Sequence, residues 1–187
     1  MSRPDNELYD LCASNNLSLV ALQEKINALG PRLSSQNPLC VHRACGNKNV
    51  TLEIVQLLHN KWPGLLHNTW PGALQLRDDD GWLPLHILCC NDDLDDTNSL
   101  DILRFMLEID PNLSREIDGA DGRLPVQMAV QFKSTRFCKI LIDVYPESLR
   151  VVDNDGLSPI HLACRSGNQV DTADTIQFML ELDPELY

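Results

Sequence analysis

At 187 residues the chain is long enough for one compact domain or a short repeat array, and 43% hydrophobic with 22% charged residues excludes wholesale disorder. Its formal net charge of −12 repels phosphate backbones and anionic lipid, which argues against nucleic acid and membrane as partners. The same charge attracts a basic segment of another protein, or serves solubility alone.

In chain order, the pattern begins weakly at Tyr9-Asp-Leu-Cys12. The polar residues Asn15, Asn16, Gln23, Glu24 and Lys25 follow, and read as the solvent-facing cap of an array. A second copy, Val41-His-Arg-Ala-Cys45, has Cys40 where the later copies have proline, and an insertion around His59 to Thr69 that includes Trp62. Three strong copies come next: Asp80-Gly-Trp-Leu-Pro-Leu-His-Ile-Leu-Cys89, Asp121-Gly-Arg-Leu-Pro-Val-Gln-Met-Ala-Val130 and Asp155-Gly-Leu-Ser-Pro-Ile-His-Leu-Ala-Cys164. After each comes a polar turn, longest in the third copy as an acidic connection over Asn91 to Ser99. Apolar stretches with helical spacing then predict amphipathic helices at Leu100–Ile109, Phe137–Val144 and Thr175–Leu182. Pro71, Pro111, Pro146 and Pro184 are stop signals, and an extended link leads back to the next Gly turn.

The unit is therefore a Gly turn, a short helix, a polar turn, a longer helix and an extended link, with a period of roughly 33 residues. With its Pro-Leu-His-x-Ala core, the chain resembles an ankyrin-repeat protein over nearly its whole length, most specifically in the last three copies. The Pro-Leu-His-x-Ala-Cys and Tyr-Pro variants are similar to arrays in diatom and algal gene models. The resemblance implies an all-α solenoid of about five stacked helix-turn-helix units in a single domain over 1–187, with repeats at approximately 4–36, 37–79, 80–120, 121–154 and 155–187. It also implies a non-catalytic scaffold or adaptor that binds another protein.

The motif residues have physical reasons. Gly81, Gly122 and Gly156 stand where a tight turn needs positive φ. Pro84, Pro125 and Pro159 open the short helices, where a missing N–H costs nothing. Leu83, Leu124 and Ser158 precede them, and only Ser158 offers a capping hydroxyl. The family likeness implies that His86 and His161 bond turn backbone, with Gln127 in the equivalent place. It also implies that Ala129 and Ala163 are small because helices approach closely there.

A metal reading competes. His42-x-x-Cys45, His86-x-x-Cys89 and His161-x-x-Cys164 each set an imidazole and a thiol one turn apart, as zinc ligands can be. Equivalent positions in stacked units stay about 10 Å apart, however, so the pairs do not converge. Cys12, Cys45, Cys89 and Cys164 also share a register with Val130, which marks a packing position. We expect no metal or other cofactor and no catalytic residues, since the glycines do not cluster into a phosphate loop. A metal- or redox-responsive protein and a spacer within a longer array remain the alternatives. Seven cysteines without a disulfide-framework spacing, no apolar run of about 20 residues and a polar start suggest reduced thiols and a cytoplasmic or nuclear location.

A partner would meet the concave face, made of turn tips and the open side of the first helices. The register assigns to it Asp79, Asp80, Trp82, Cys90 and Asn91; then Ala120, Asp121, Arg123, Gln131 and Phe132; then Asn154, Asp155, Leu157, Arg165 and Ser166. Trp82 is either an interface anchor or folded over the neighbouring turn. Asp78 to Asp80 and Asp92 to Asp96 could together form an acidic rim around it, suited to a basic, partly apolar segment, or serve solubility alone, the latter favoured for the inserted run. The last unit keeps the interior-type residues Ile160, Leu162, Ile176 and Met179, so either the chain is part of a longer array or this uncapped C-terminal repeat packs on another chain, self-association with a second copy included.

Overall fold

The structure is a computed structural model and describes residues 6–30, 39–61, 72–166 and 171–186. Trp62, Trp70, Pro71 and most of the expected insertion lie outside the described residues. Among those described there are ten α-helices and no strand: α1 (Glu7–Ala13), α2 (Leu19–Leu29), α3 (Cys40–Cys45), α4 (Leu52–Lys61), α5 (Pro84–Cys90), α6 (Asp96–Ile109), α7 (Pro125–Phe132), α8 (Thr135–Val144), α9 (Pro159–Ser166) and α10 (Thr172–Leu182). The odd-numbered helices stack on one another as an inner row and the even-numbered helices as an outer row. This is the helical solenoid that the repeats imply.

Local chemistry sets the helix ends. The Ser134 hydroxyl accepts from Phe137 N–H at 3.3 Å to start α8, and Ser18 does the same for α2. In α8, Phe137, Cys138, Leu141 and Ile142 are buried while Arg136, Lys139 and Asp143 face solvent, so one stripe meets the core. The core runs as one body from Leu8 to Met179, with Phe137 among its largest fully buried side chains.

Two sequence expectations are corrected. The link after the longer helix is not wholly extended: Pro111–Arg115 and Pro146–Arg150 form 3-10 turns that bury Leu113 and Leu149. Each proline ends one helix and, with its fixed φ, opens the next turn. The acidic connection is also shorter than Asn91 to Ser99. The Asp95 carboxylate accepts from Asn98 N–H at 3.0 Å, so Asp96 to Ser99 already form the first turn of α6. No described helix is long and apolar enough to cross a membrane.

Candidate functional site

The concave face is assembled from the turns that precede α5, α7 and α9. In each, one carboxylate organises the backbone. Asp78 Oδ1 accepts from Asp80 and Trp82 N–H, Asp118 Oδ1 from Asp121 and Arg123, and Asp153 Oδ1 from Asp155 and Leu157, all between 2.8 and 3.1 Å. Gly81, Gly122 and Gly156 take φ of 78°, 68° and 75° at the tips. Neighbouring tips touch: a Cβ on Gly81 would lie 2.7 Å from Gly119 Cα. Asn154 N–H donates to Asp121 C=O at 2.9 Å. Burial pushes the Asp153 carboxyl up, but the Leu157 N–H and the Arg123 guanidinium outweigh it and hold it below the usual carboxylate range.

Behind the tips, a His or Gln on each inner helix from α3 to α9 reaches a turn, and at α5 and α7 it ties its own turn to the next unit. His86 Nδ1 accepts from Leu83 N–H at 3.0 Å, which places the proton on Nε2, and Nε2 donates to Glu116 C=O at 3.0 Å. Gln127 does the same work with an amide: Oε1 accepts from Leu124 N–H at 2.8 Å, and Nε2 donates to Leu157 C=O at 2.8 Å. His42 Nε2 donates to Trp82 C=O at 3.0 Å, but its buried Nδ1 has no donor among the described residues. His161 Nδ1 lies 3.2 Å from Ser158 N and 2.7 Å from its hydroxyl. Burial drives the His86 pKa down to about 4 and also lowers that of His42. These imidazoles are spent on backbone.

The expected partner-binding residues fall into three groups. Asp79, Asp80, Ala120, Asp121, Asn154, Asp155 and Arg165 are exposed, and Phe132 is 37% exposed. Trp82, Cys90, Gln131, Leu157 and Ser166 are half-buried. Gln131 Nε2 donates back to Gln127 C=O at 3.1 Å, and the Trp82 ring packs on the core with its Nε1 buried and unpaired among the described residues. Arg123 is held by Asp153 at 2.9 Å and Asp121 at 3.3 Å, with its side chain 20% exposed.

Asn91 is the clear correction: it is buried, and its amide donates to Cys45 C=O at 2.8 Å. Asn47 does likewise to Cys12 and Ser14 C=O at 3.0 and 2.7 Å, and the buried Lys133 ammonium donates to Asn91 C=O. These groups satisfy the last carbonyls of the preceding inner helix, which have no partner within it. Asp95 and Asp96 do not join an acidic rim around Trp82. Asp95 caps α6, and Asp96 accepts from the Ser134 hydroxyl at 2.5 Å. Both lie beyond the far end of α5, about 10 Å from its start at the helical rise per residue.

Sequence reading missed a cleft of about 450 Å³ over α1, α3 and α5, lined by Tyr9, Arg43, Gly46, Lys48, Ile87 and Asp93 among others. Its one sequence signal was Gly46, which stands where later copies have Cys90, Gln131 and Arg165. All seven cysteines are free thiols. Burial pushes Cys45 and Cys89 up, Cys138 to about 12 and Cys90 to about 11, so these four are poor ligands and nucleophiles at neutral pH. No group of three or more His, Cys, Asp or Glu side chains converges as a metal site among the described residues.

A family model described as ankyrin repeats, in three copies, matches residues 96–186. No curated protein matches the chain.

Proposed function

Since residues 96–186 make the chain an ankyrin-repeat protein, we propose that it is a non-catalytic scaffold or adaptor that binds another protein on its concave face. Ankyrin repeats are generally protein–protein interaction modules, and the family is typically non-catalytic. The supporting observation is the row of exposed acidic tips, Asp79 and Asp80 beside Asp121 and then Asp155, each turn held by its own Asp78, Asp118 or Asp153 carboxylate and the last two joined by Asn154 N–H to Asp121 C=O. Rigid, like-charged tips steer and hold a basic segment with little ordering cost on this side of the interface. Phe132 and the edge of Trp82 add apolar contact for a segment that is partly apolar.

The test is an affinity pull-down with mass spectrometry, comparing wild type with an Asp79→Ala, Asp80→Ala, Asp155→Ala variant shown by circular dichroism to be folded. A protein retained by wild type at low salt and lost by the variant is the expected result. Equal recovery on both would remove the concave tips from the binding site.

A further inference from the structure

The cleft over α1, α3 and α5 differs from the rest of the concave face in shape and in charge. Its floor is low because Gly46 carries no side chain, whereas the equivalent positions hold Cys90, Gln131 and Arg165. Gly46 has φ −84°, a conformation open to any residue, so the turn does not require glycine there. A Cβ at Gly46 would meet Ile87 Cγ2 at 3.3 Å, in the same cleft.

Charge is segregated across this floor. On the α3 side stand Arg43, whose guanidinium lies 5.2 Å from the centre of the Tyr9 ring, and Lys48. Both are exposed, and neither has a carboxylate partner among the described residues. By contrast, Arg77 and Arg123, on the neighbouring turns, are paired with Glu116 and with Asp121 and Asp153. On the α5 side the cleft is bounded by Asp78 and the exposed Asp93, and beyond them the acidic tips continue. In a chain of net charge −12, this recess is not uniformly acidic: two cations without a carboxylate partner among the described residues stand across it from two carboxylates.

We propose that this cleft receives an acidic side chain of the partner protein's segment, held by Arg43 and Lys48, while basic side chains of the same segment run on over α5 and the acidic tips. The recess over Gly46 admits the acidic side chain, and the Tyr9 ring pre-orients the guanidinium that meets it. The segment is thus bipolar, with acid over α3 and base from α5 onward, and its charge order fixes its direction along the groove. This rests on the concave face being the binding face.

The probes are two fluorescein-labelled synthetic peptides, identical except that one has a Glu pair at the end opposite an Arg-rich stretch and the other a Gln pair. Fluorescence anisotropy at low ionic strength reads both affinities. We expect wild type to prefer the Glu peptide by roughly fivefold. Arg43→Glu with Lys48→Glu should invert that preference, and Gly46→Leu, with its helix content checked by circular dichroism, should bring the ratio close to one. Equal binding of both peptides by wild type, or a preference that survives in both variants, overturns the proposal. An Asp79→Asn, Asp80→Asn, Asp155→Asn variant separates the two readings: unchanged affinity for both peptides defeats the concave face itself, whereas weakened binding of both by this variant together with equal binding of both by wild type defeats only the cleft.

Discussion

The starts of α3 and α5 place the same residue in the same register and use it differently. His42 and His86 both reach the next unit, to Trp82 C=O and Glu116 C=O, each at 3.0 Å. Only His86 also holds its own turn, through Leu83 N–H at 3.0 Å, while the buried Nδ1 of His42 has no donor among the described residues. The backbone in front explains the difference. Leu83 precedes Pro84 and is extended at ψ 161°, whereas Leu39 precedes Cys40 and has turned to ψ 11°. A residue before proline is kept out of the helical region, so the proline holds the N–H where the ring can accept it. The clasp between units therefore survives without proline, and the clasp within a unit is what proline secures.

The sharpest way to break this comparison is to remove each ring. His86→Ala strands two backbone groups and leaves a cavity, for an expected loss of about 4 kcal/mol; His42→Ala strands one, for about 2 kcal/mol. Urea denaturation of both variants against wild type measures the gap. Equal losses would mean that the contact to the next unit carries nearly all of the energy and that the turn bond contributes little.

Protonation tests the same rings without a cavity. His86 titrates near 4 when folded against an ordinary 6.5, because burial disfavours the imidazolium. The unfolded chain takes the proton first, so the His86 contribution is whole above pH 6.5, declines as pH falls through that window, and levels off below about 4. From pH 7 to pH 5 this amounts to a loss of about 2 kcal/mol. Gln127 makes the equivalent pair of bonds with a group that does not titrate. His86→Gln should therefore keep its stability at pH 7 and shed that part of the pH dependence, leaving the share that belongs to His42 and His59, whose pKa values burial also lowers. If the urea midpoint of His86→Gln falls between pH 7 and 5 as steeply as that of wild type, the imidazole of His86 is not the source.

What was legible in the sequence was what is local. Gly81, Pro84 and His86 lie within one turn and its helix, so their spacing specifies geometry that each unit repeats. Gln127 could be placed by register alone, and its bonds then proved to be those of His86. The misreadings concern groups whose partners are remote or ambiguous in type. Asn91 looks like a loop residue, because the carbonyl of Cys45 that it serves belongs to the preceding unit. Asp78, Asp118 and Asp153 look like members of solvated acidic runs, yet each ties down two N–H groups and the last two are buried. Asp95 reads as loop, since an acidic loop and a helix cap use the same residue type. The cleft over α3 escaped notice because an open recess is created by a missing side chain, at Gly46, rather than by a motif.

The smallest expected effect is the most specific to the comparison. Pro84→Ala frees Leu83 to leave the extended region and returns conformational freedom to the unfolded chain, for a loss of roughly 0.5 to 1 kcal/mol. Stability alone would not separate those two causes. Amide hydrogen exchange does, because the Leu83 N–H is the donor to His86 Nδ1 and its protection reports that bond. If proline holds the turn, the Leu83 amide should exchange faster in Pro84→Ala by more than the global loss explains, while amides in the middle of α6 slow or quicken only with global stability. If Leu83 stays as protected as the rest of the unit, the packing of its buried side chain suffices to keep it extended. The divergent backbone at Leu39 would then have to arise from what surrounds α3 rather than from the replacement of proline by Cys40.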